Sequence, residues 1–424
     1  MTAAAQFEPA VLPDRFCNFD RLLHAMEARG LDGLIVSQPL NMYYLTGFSG
    51  IAHKSDEPRP YALVFSRHQP EHPIVVCADY YLGTFLNRPG WVEDVRPYRA
   101  VMMPMDLPAD RADIDRFVPG FLDNDPRTVR AKENFSFDMG SAMKGAVSDL
   151  GLANGQIGFD DVGYGMRLGL EWATVRDAYD ALMFARAVKT APELEMLQRA
   201  TTLNEAAIRR TMAAWDKGAT WRDLDLAYQR AVGDLGGFVR DPGGMVWGHP
   251  RGADPALTLR GGTDDGEVEA GTHVMFDCHG TLDLYCWDGG KSWRVDGEPD
   301  GAGKQAMETT ARAAEALVEA MRPGAKISEL QALGRDAYAK AGAPQPDMAI
   351  IFFHGLGLSH MDLELTLPDG TPNGDWVLEE NMVVPLHLLY PGGQHDRWWL
   401  EDVVHITKDG GRPLFSWGFG ALTT

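Results

Sequence analysis

Residues 273–294, HVMFDCHGTLDLYCWDGGKSWR, constrain the chain more than any other stretch because they set two acids inside apolar, strand-forming sequence. An apolar strand ends on Asp277, a Gly-Thr turn follows, and a second strand rich in aromatics carries Asp288. A hairpin centred between Leu282 and Asp283 sets Asp277 directly opposite Asp288. Directly opposed side chains have Cβ atoms about 4.5–5.5 Å apart, where like charges repel. Two carboxylates flanked by Met275, Phe276, Trp287 and Trp293 are tolerated when something positive sits between them. A divalent metal ion is the simplest candidate.

The same geometry recurs near the C-terminus. Met382–Tyr390 (MVVPLHLLY) and Trp398–Ile406 (WWLEDVVHI) flank the turn-rich PGGQHDR, and a hairpin centred on Gln394 sets His387 opposite Glu401. Between the two hairpins, the apolar run Ala349–Gly357 (AIIFFHGLG) ends at His354 beside glycines. Asp277, Asp288, His354, His387 and Glu401 therefore form a candidate ligand set of three carboxylates and two imidazoles. Such a set suits Mn, Fe, Co or Zn better than Ca or Mg. Asp402 and Asp283 are expected to be solvated, since strand alternation aims Asp402 away from Glu401.

At 424 residues the chain exceeds one ordinary core, which predicts at least two domains. Its formal charge of −21 disfavours nucleic acid and anionic membrane surfaces as partners. The four cysteines (Cys17, Cys77, Cys278, Cys286) show no paired C-x-x-C spacing and read as free thiols in a reducing compartment. No apolar run approaches the ~18 residues that span a bilayer, and the opening MTAAAQFEPA lacks the features of a signal peptide. A cytoplasmic protein is the expectation.

Along the chain, Phe16–Arg29 has helical apolar spacing closed by Gly30. The segments 33–37, 61–65, 73–78 and 156–160 read as short buried strands, giving a small α/β domain with a mixed sheet. Pro192 and Glu193 open a long helix after a basic link, which places the domain boundary so that residues 1–183 and 184–424 form separate domains. The second half reads as helices 193–215 and 221–235, strands in 245–295, helices 302–322 and 327–341, then strands to the end. Strands and helices kept in separate runs give an α+β class.

These residues resemble the pita-bread fold enzymes: creatinase, prolidase, Xaa-Pro aminopeptidase and methionine aminopeptidase. The resemblance covers essentially the whole chain. The link ARAVKTAPELEML is similar to the entry into that family's catalytic domain, and the family's paired aspartates lie eleven positions apart, as Asp277 and Asp288 do, with a tyrosine at Tyr285. Its H-G-x-G element matches His354-Gly355-Leu356-Gly357, and its closing E-D-x-V-x-x-T-x-D-G matches Glu401 to Gly410. The segments NMYYLTGF and RPYALV look most like the creatinase and prolidase branch. The resemblance implies a creatinase-like N-terminal α/β domain, a C-terminal pita-bread domain, one or two divalent ions (Mn, Fe, Zn or Co) per subunit, and a homodimer. The implied activity is metal-assisted hydrolysis of a C–N bond in an Xaa-Pro dipeptide or related small amide.

Two departures bear on that reaction. His387 stands where the family's peptidases have a metal-binding glutamate, and Met361 stands where they have a second histidine, with His360 one place earlier. A one-residue slip on an extended segment would turn His360 to the opposite face. A third family histidine corresponds loosely to His249, in WGHPRG. The catalytic set expected from the resemblance is Glu401, His249 and His360. For the substrate, Arg59 and Arg251 are candidate carboxylate partners through their bidentate forks, and Tyr285 and Trp287 candidate pocket residues. Tryptophans lining a pocket would suit a cationic substrate. This brings in the alternative of a non-peptidase acting on a small zwitterion, as the family's dimethylsulfoniopropionate lyase or creatinase do.

Overall fold

The computed structural model of the protein describes residues 12–13, 15–49, 61–100, 111–169, 175–240, 246–249, 266–299, 301–391, 397–420 and 422–423. The chain divides into two compact units, one containing Leu12–Arg186 with Glu364–Pro372, the other Ala187–Leu363 with Asn373–Thr424. The division at Arg186/Ala187 falls close to the boundary drawn from the sequence, but the return of Glu364–Pro372 to the first unit has no local sequence signal.

The first unit runs α1 (Phe19–Ala28), β1 (Gly33–Val36), α2 (Pro39–Thr46), β2 (Tyr61–Ser66), β3 (Ile74–Ala78), α3 (Asp79–Asn87), β4 (Asp94–Tyr98), α4 (Pro126–Glu133), α5 (Met139–Asp149), β5 (Ile157–Phe159), α6 (Val162–Arg167), β6 (Arg176–Asp177) and α7 (Tyr179–Ala187). Its six strands form one mixed sheet in the order β4-β3-β2-β1-β5-β6. The side chain of Asn18 caps α1 and that of Asp138 caps α5, each accepting a first-turn N–H that the helix cannot satisfy itself. Ala142, Met143 and Ala146 of α5 pack on Ile35, Val64, Ile74 and Val76 of the sheet. Strand β4, sequence DVRPY, carries too little apolar alternation to be read as a strand and is held by parallel pairing to β3.

The second unit runs α8 (Ala191–Ala213), α9 (Trp221–Asp234), β7 (Phe238–Val239), β8 (Val246–His249), β9 (His273–Phe276), β10 (Gly280–Leu282), β11 (Tyr285–Trp287), β12 (Gly290–Arg294), α10 (Gly301–Ala320), α11 (Ile327–Lys340), β13 (Ile350–Phe353), β14 (Val383–Tyr390), β15 (Trp398–Thr407), β16 (Gly410–Pro413) and β17 (Leu422–Thr423). The larger sheet follows β13-β14-β15-β12-β9-β8, with β16 on β15 and β17 on β12, and a smaller sheet follows β11-β10-β7. Helices α10 and α11 bury Leu317, Val318 and Tyr338 against Val384, Leu386 and Leu388. Helices α8 and α9 bury Ile208, Trp221 and Tyr228 against Val274, Phe276 and Trp287.

The register of the first hairpin differs from the sequence reading. Strands β10 and β11 pair Gly280 with Trp287 and Leu282 with Tyr285, so the turn residues are Asp283 and Leu284, both at positive φ (48° and 73°). Two central residues at positive φ make the tight turn that matches strand twist. A leucine at positive φ is costly, and nothing local advertises it. The pairing thus moves by two positions. Asp288 faces His279, and Asp277 faces Gly290, as the bond from Cys278 N–H to the Gly289 carbonyl (3.3 Å) and the pairing of Met275 with Ser292 require. Because strand side chains alternate with period 2, a two-residue shift keeps both acids on one face while changing their partners.

Candidate metal centre

The site begins as one row of residues crossing the sheet. Extending the β9–β12 pairing brings Asp277 beside Gly290, Gly290 pairs with Glu401, Glu401 with His387, and His387 with Phe352. Residues directly opposite one another share a face, so the row collects Asp277, Glu401 and His387 on one side, with Asp288 beside them. The His387–Glu401 pairing is the one read from the sequence. His387 Nε2 lies 3.0 Å from Glu401 Oε1. Its ring stacks on Phe352 at 3.9 Å and meets Trp399 edge-on at 5.8 Å.

Residues 354–362 close the site. His354 follows β13, and its Nδ1 lies 3.0 Å from the Gly355 carbonyl. A carbonyl accepts only, so Nδ1 carries the proton and the Nε2 lone pair faces the site, 3.2 Å from Asp288 Oδ2. The chain then curls back on itself. Asp362 accepts from the N–H groups of Leu358 (3.0 Å) and Ser359 (3.1 Å), and the fully buried Lys189 Nζ lies 3.6 Å from its Oδ2. The two glycines of the H-G-x-G element permit this approach: a Cβ on Gly355 would lie 2.1 Å from the Asp362 carbonyl, and one on Gly357 2.0 Å from Asp362 Oδ2. The turn at 360–361 brings His360 Nε2 to 2.8 Å from Asp288 Oδ2 and leaves Met361 43% exposed. The slip expected of an extended segment is undone because the segment is a loop.

His279 completes the group and was missed by the sequence reading. Its Nε2 lies 3.1 Å from Asp277 Oδ1 and 3.0 Å from Asp288 Oδ1. The imidazoles of His279, His360, His354 and His387 then follow one another at centroid separations of 4.4, 4.6 and 4.9 Å. A signal for His279 existed: it lies two positions beyond Asp277, hence on the same strand face.

The electrostatics separate the acids. Burial works to raise the Asp288 carboxyl, but His279, His354 and His360 beside it hold it well below the usual carboxylate range. Burial, then the charges of Asp288 and Asp277, push Glu401 well above that range. Burial drives the His387 imidazole down to about 3, so it stays neutral. Burial also opposes charge on His279, yet Asp277 and Asp288 lift it to about 10.

The residues fit a metal ion. Asp288, His354, His387 and Glu401 are all buried, and each offers a ligand atom within 4.8 Å of the others; His279, Asp288 and His360 form a second such group. Asp288 Oδ2, His354 Nε2, His360 Nε2 and both Glu401 oxygens are buried with no hydrogen-bond partner, although some lie at hydrogen-bonding distance of one another. Buried polar atoms left without partners cost about 1–3 kcal/mol each. The approach of Asp288, His354, His387 and Glu401 to one another is the mixed carboxylate and imidazole donor set of a borderline transition-metal site.

Other candidates fall elsewhere. Tyr285 and Trp287, expected at the substrate, have no exposed surface: Tyr285 donates to Glu193 Oε1 on α8 at 3.3 Å, and Trp287 Nε1 donates to the Tyr228 hydroxyl on α9 at 3.0 Å. Alternation accounts for this, since residues 285 and 287 face opposite to Asp288. Asp402 is also a correction. It is 1% exposed, against the expectation of a solvated acid, and the charge of Lys291 partly offsets the burial that raises its carboxyl. Asp283 is exposed as expected. Pairing sets the His249 backbone opposite His273, at the far end of β9 from Asp277; its side chain, like Arg59 and Arg251, lies outside the described residues.

The sheet-and-helix unit that carries this centre, preceded by a mixed-sheet α/β unit, has the architecture of the creatinase and prolidase group. Residues 195–408 match metallopeptidase family M24, and residues 19–161 match the creatinase/prolidase N-terminal domain. The chain belongs to metallopeptidase family M24. It is 30% identical over 247 residues to a probable dipeptidase PepE of Mycobacterium tuberculosis, covering 55% of this chain and 60% of that relative. It is 24% identical to an Xaa-Pro dipeptidase of Lactobacillus helveticus over 93% of this chain and 95% of the relative. Among solved structures, a dipeptidase PepE from Mycobacterium ulcerans has the same fold at a TM-score of 0.66 and 22% identity, covering 99% of each chain.

Proposed function

We propose that the protein is a metal-dependent hydrolase that cleaves a C–N bond in an Xaa-Pro dipeptide or a related small amide. The observation that carries the reading is the approach of ligand atoms from Asp288, His354, His387 and Glu401 to within 4.8 Å of one another, with Asp288 Oδ2, His354 Nε2 and both Glu401 oxygens buried and unpartnered. Asp288, His354, His387 and Glu401 would hold the cation. When bound, a divalent ion supplies Lewis acidity, which generates a water nucleophile at neutral pH and polarises a carbonyl oxygen. The His354 bond to the Gly355 carbonyl keeps the Nε2 lone pair aimed inward.

Glu401 has two oxygens free of donors and a carboxyl raised by burial, so it is the group that takes and returns the proton. His360, with 37% of its side chain exposed, would donate to substrate from the open side. His249 is kept as a second proton carrier, and Arg59 and Arg251 as carboxylate partners, on the sequence reading alone. A homodimer and a cytoplasmic location belong to the same proposal. Among the described residues no helix is long and apolar enough to cross a membrane.

The test is release of proline from a panel of Xaa-Pro dipeptides by the protein loaded with Mn, Co, Fe or Zn. Release above a chelator-treated control supports the reading, and none with any of the ions defeats it. His387, set between the rings of Phe352 and Trp399 in place of the expected glutamate, favours a second reading. In it the same centre acts on a small zwitterion as a lyase or amidinohydrolase. Turnover of betaines or sulfonium compounds with no dipeptide cleavage would establish that alternative.

A further inference from the structure

The row of residues next to the candidate ligands, one step along the strands, is apolar. Strand β13 pairs Ile350 with Leu389 of β14, and Leu389 pairs with Trp399 of β15. Strand positions two apart share a face, so these three stand on the side of the sheet that carries Phe352, His387 and Glu401. The other side is covered: Ile351 and Phe353 are buried with Leu317 of α10 and Leu330 and Tyr338 of α11. On the ligand side Ile350 is 47% exposed and Phe352 40% exposed, with Leu389 half-buried between them and Trp399. Single exposed apolar residues are ordinary on a protein surface. An apolar strip that runs up to a buried polar cluster is instead the lining of a small-molecule site.

Ring contacts carry the strip into the centre. Phe352 stacks on His387 with centroids 3.9 Å apart, His387 lies 4.9 Å from His354, and His354 lies 4.6 Å from His360. The centre thus has a polar open end at His360 and an apolar open end at Phe352 and Ile350. A substrate whose scissile carbonyl lies at the centre extends one half toward each end. With His360 donating to the departing nitrogen, the acyl half falls at Phe352. A charged side chain on the apolar row would lose water without gaining a partner, whereas an aliphatic or aromatic one is driven there out of water.

We propose that Ile350, Phe352 and Leu389 form a subsite for the side chain of the residue N-terminal to the scissile bond, and that it selects a large apolar one. The inference rests on the metal-dependent hydrolase reading above and narrows its substrates to those with an apolar acyl residue.

The test has one arm that does not depend on turnover. Calorimetry on full-length protein loaded with Mn or Zn compares acetohydroxamate, little more than a chelating head, with hexanohydroxamate. The longer chain is expected to bind at least about tenfold tighter, and Ile350→Asp and Phe352→Ala each to bring that ratio toward one. Ile350 is exposed on an outer strand, so Ile350→Asp decides alone if Phe352→Ala does not fold. Leu333→Asp, on α11 across the sheet, should keep the wild-type ratio. In the second arm, kcat/KM for Leu-Pro and Phe-Pro should exceed that for Gly-Pro and Asp-Pro by about tenfold or more. Equal binding of the two hydroxamates by wild type, a ratio that neither substitution alters, or equal kcat/KM across the dipeptides overturns the subsite and leaves the hydrolase reading standing. Tail-dependent binding that Ile350→Asp removes, with no dipeptide cleaved, supports the subsite and defeats the hydrolase reading. No binding of either hydroxamate defeats the metal reading and the subsite with it.

Discussion

Asp160 in the first unit and Glu401 in the second are both buried carboxyls, at 5% and 0% exposure, yet their surroundings are opposite. Asp160 accepts from the N–H groups of Ser37 (2.8 Å) and Gln38 (3.0 Å) and from Asn41 Nδ2 (3.0 Å). Asn41 is in turn braced by Arg186 Nη1 at 2.6 Å. Glu401 accepts from nothing. A buried acid surrounded by donors ties chain segments together. A buried acid facing lone pairs costs stability and is retained where a cation is to be bound. The pair shows that satisfaction, and not burial, separates a structural acid from a functional one.

The largest effect expected is at Glu401. Glu401→Gln should lower kcat/KM on a cleaved dipeptide by at least about 10³-fold, some 4 kcal/mol of transition-state stabilisation, while metal-free protein keeps or gains stability. Activity within tenfold of wild type would break the comparison. Asp160→Ala should do the reverse. With four donors, the Ser37 hydroxyl included, left without an acceptor, chemical denaturation should show a loss of about 3–4 kcal/mol, at roughly 1 kcal/mol per bond, and metal content should not change.

A smaller effect is expected at Gly357→Ala, where the new Cβ meets Asp362 Oδ2 at 2.0 Å. The loop must shift, His360 moves away from Asp288, and calorimetry should record metal affinity weakened about 10–100-fold. Unchanged affinity would mean that His360 does not belong to the centre.

The smallest effect concerns pH. Burial pushes the Asp160 carboxyl up to about 6 against its hydrogen bonds, from an ordinary 3.8. The folded state then holds the proton more tightly, so the contribution is full below 3.8 and is lost as pH rises through about 6. Between about pH 5 and 7 the loss should be about 1 kcal/mol. Asp160→Asn should flatten the stability profile over that range, and an unchanged slope would assign it to other groups.

Much of the site was legible in the linear chain because strand alternation is local physics. The sequence sets Asp277 opposite Asp288 and His387 opposite Glu401; the second pairing is found, and Asp288, His387 and Glu401 come together with His354, while Asp277 lies against His279. Partners were harder to read than faces. The first hairpin turns at Asp283 and Leu284, and a leucine at positive φ is decided by the burial of Leu282 and Tyr285 on either side of it. The true register gives Asp288 a histidine opposite, where the sequence reading gave it another acid. The slip of His360 to the opposite face fails for a different reason: counting positions assumes an extended chain, and the loop at 354–362 is folded back by Asp362 and Lys189, far apart in sequence. Tyr285 and Trp287 were given to substrate because aromatic residues suit both cores and pockets, and only their partners on α8 and α9 show which applies.

The sequence by itself determined the class of fold, the two-part organisation and the pairing of His387 with Glu401, because side-chain period, helix caps and glycine punctuation act over a few residues. Tertiary structure alone decided which atoms are satisfied and which are left facing one another. Whether a buried oxygen meets an N–H, an imidazole or only another acceptor depends on register and loop closure between segments tens to more than a hundred residues apart. That difference separates the two oxygens of Asp288, one held by Gly289 and His279, the other turned toward His354 and His360.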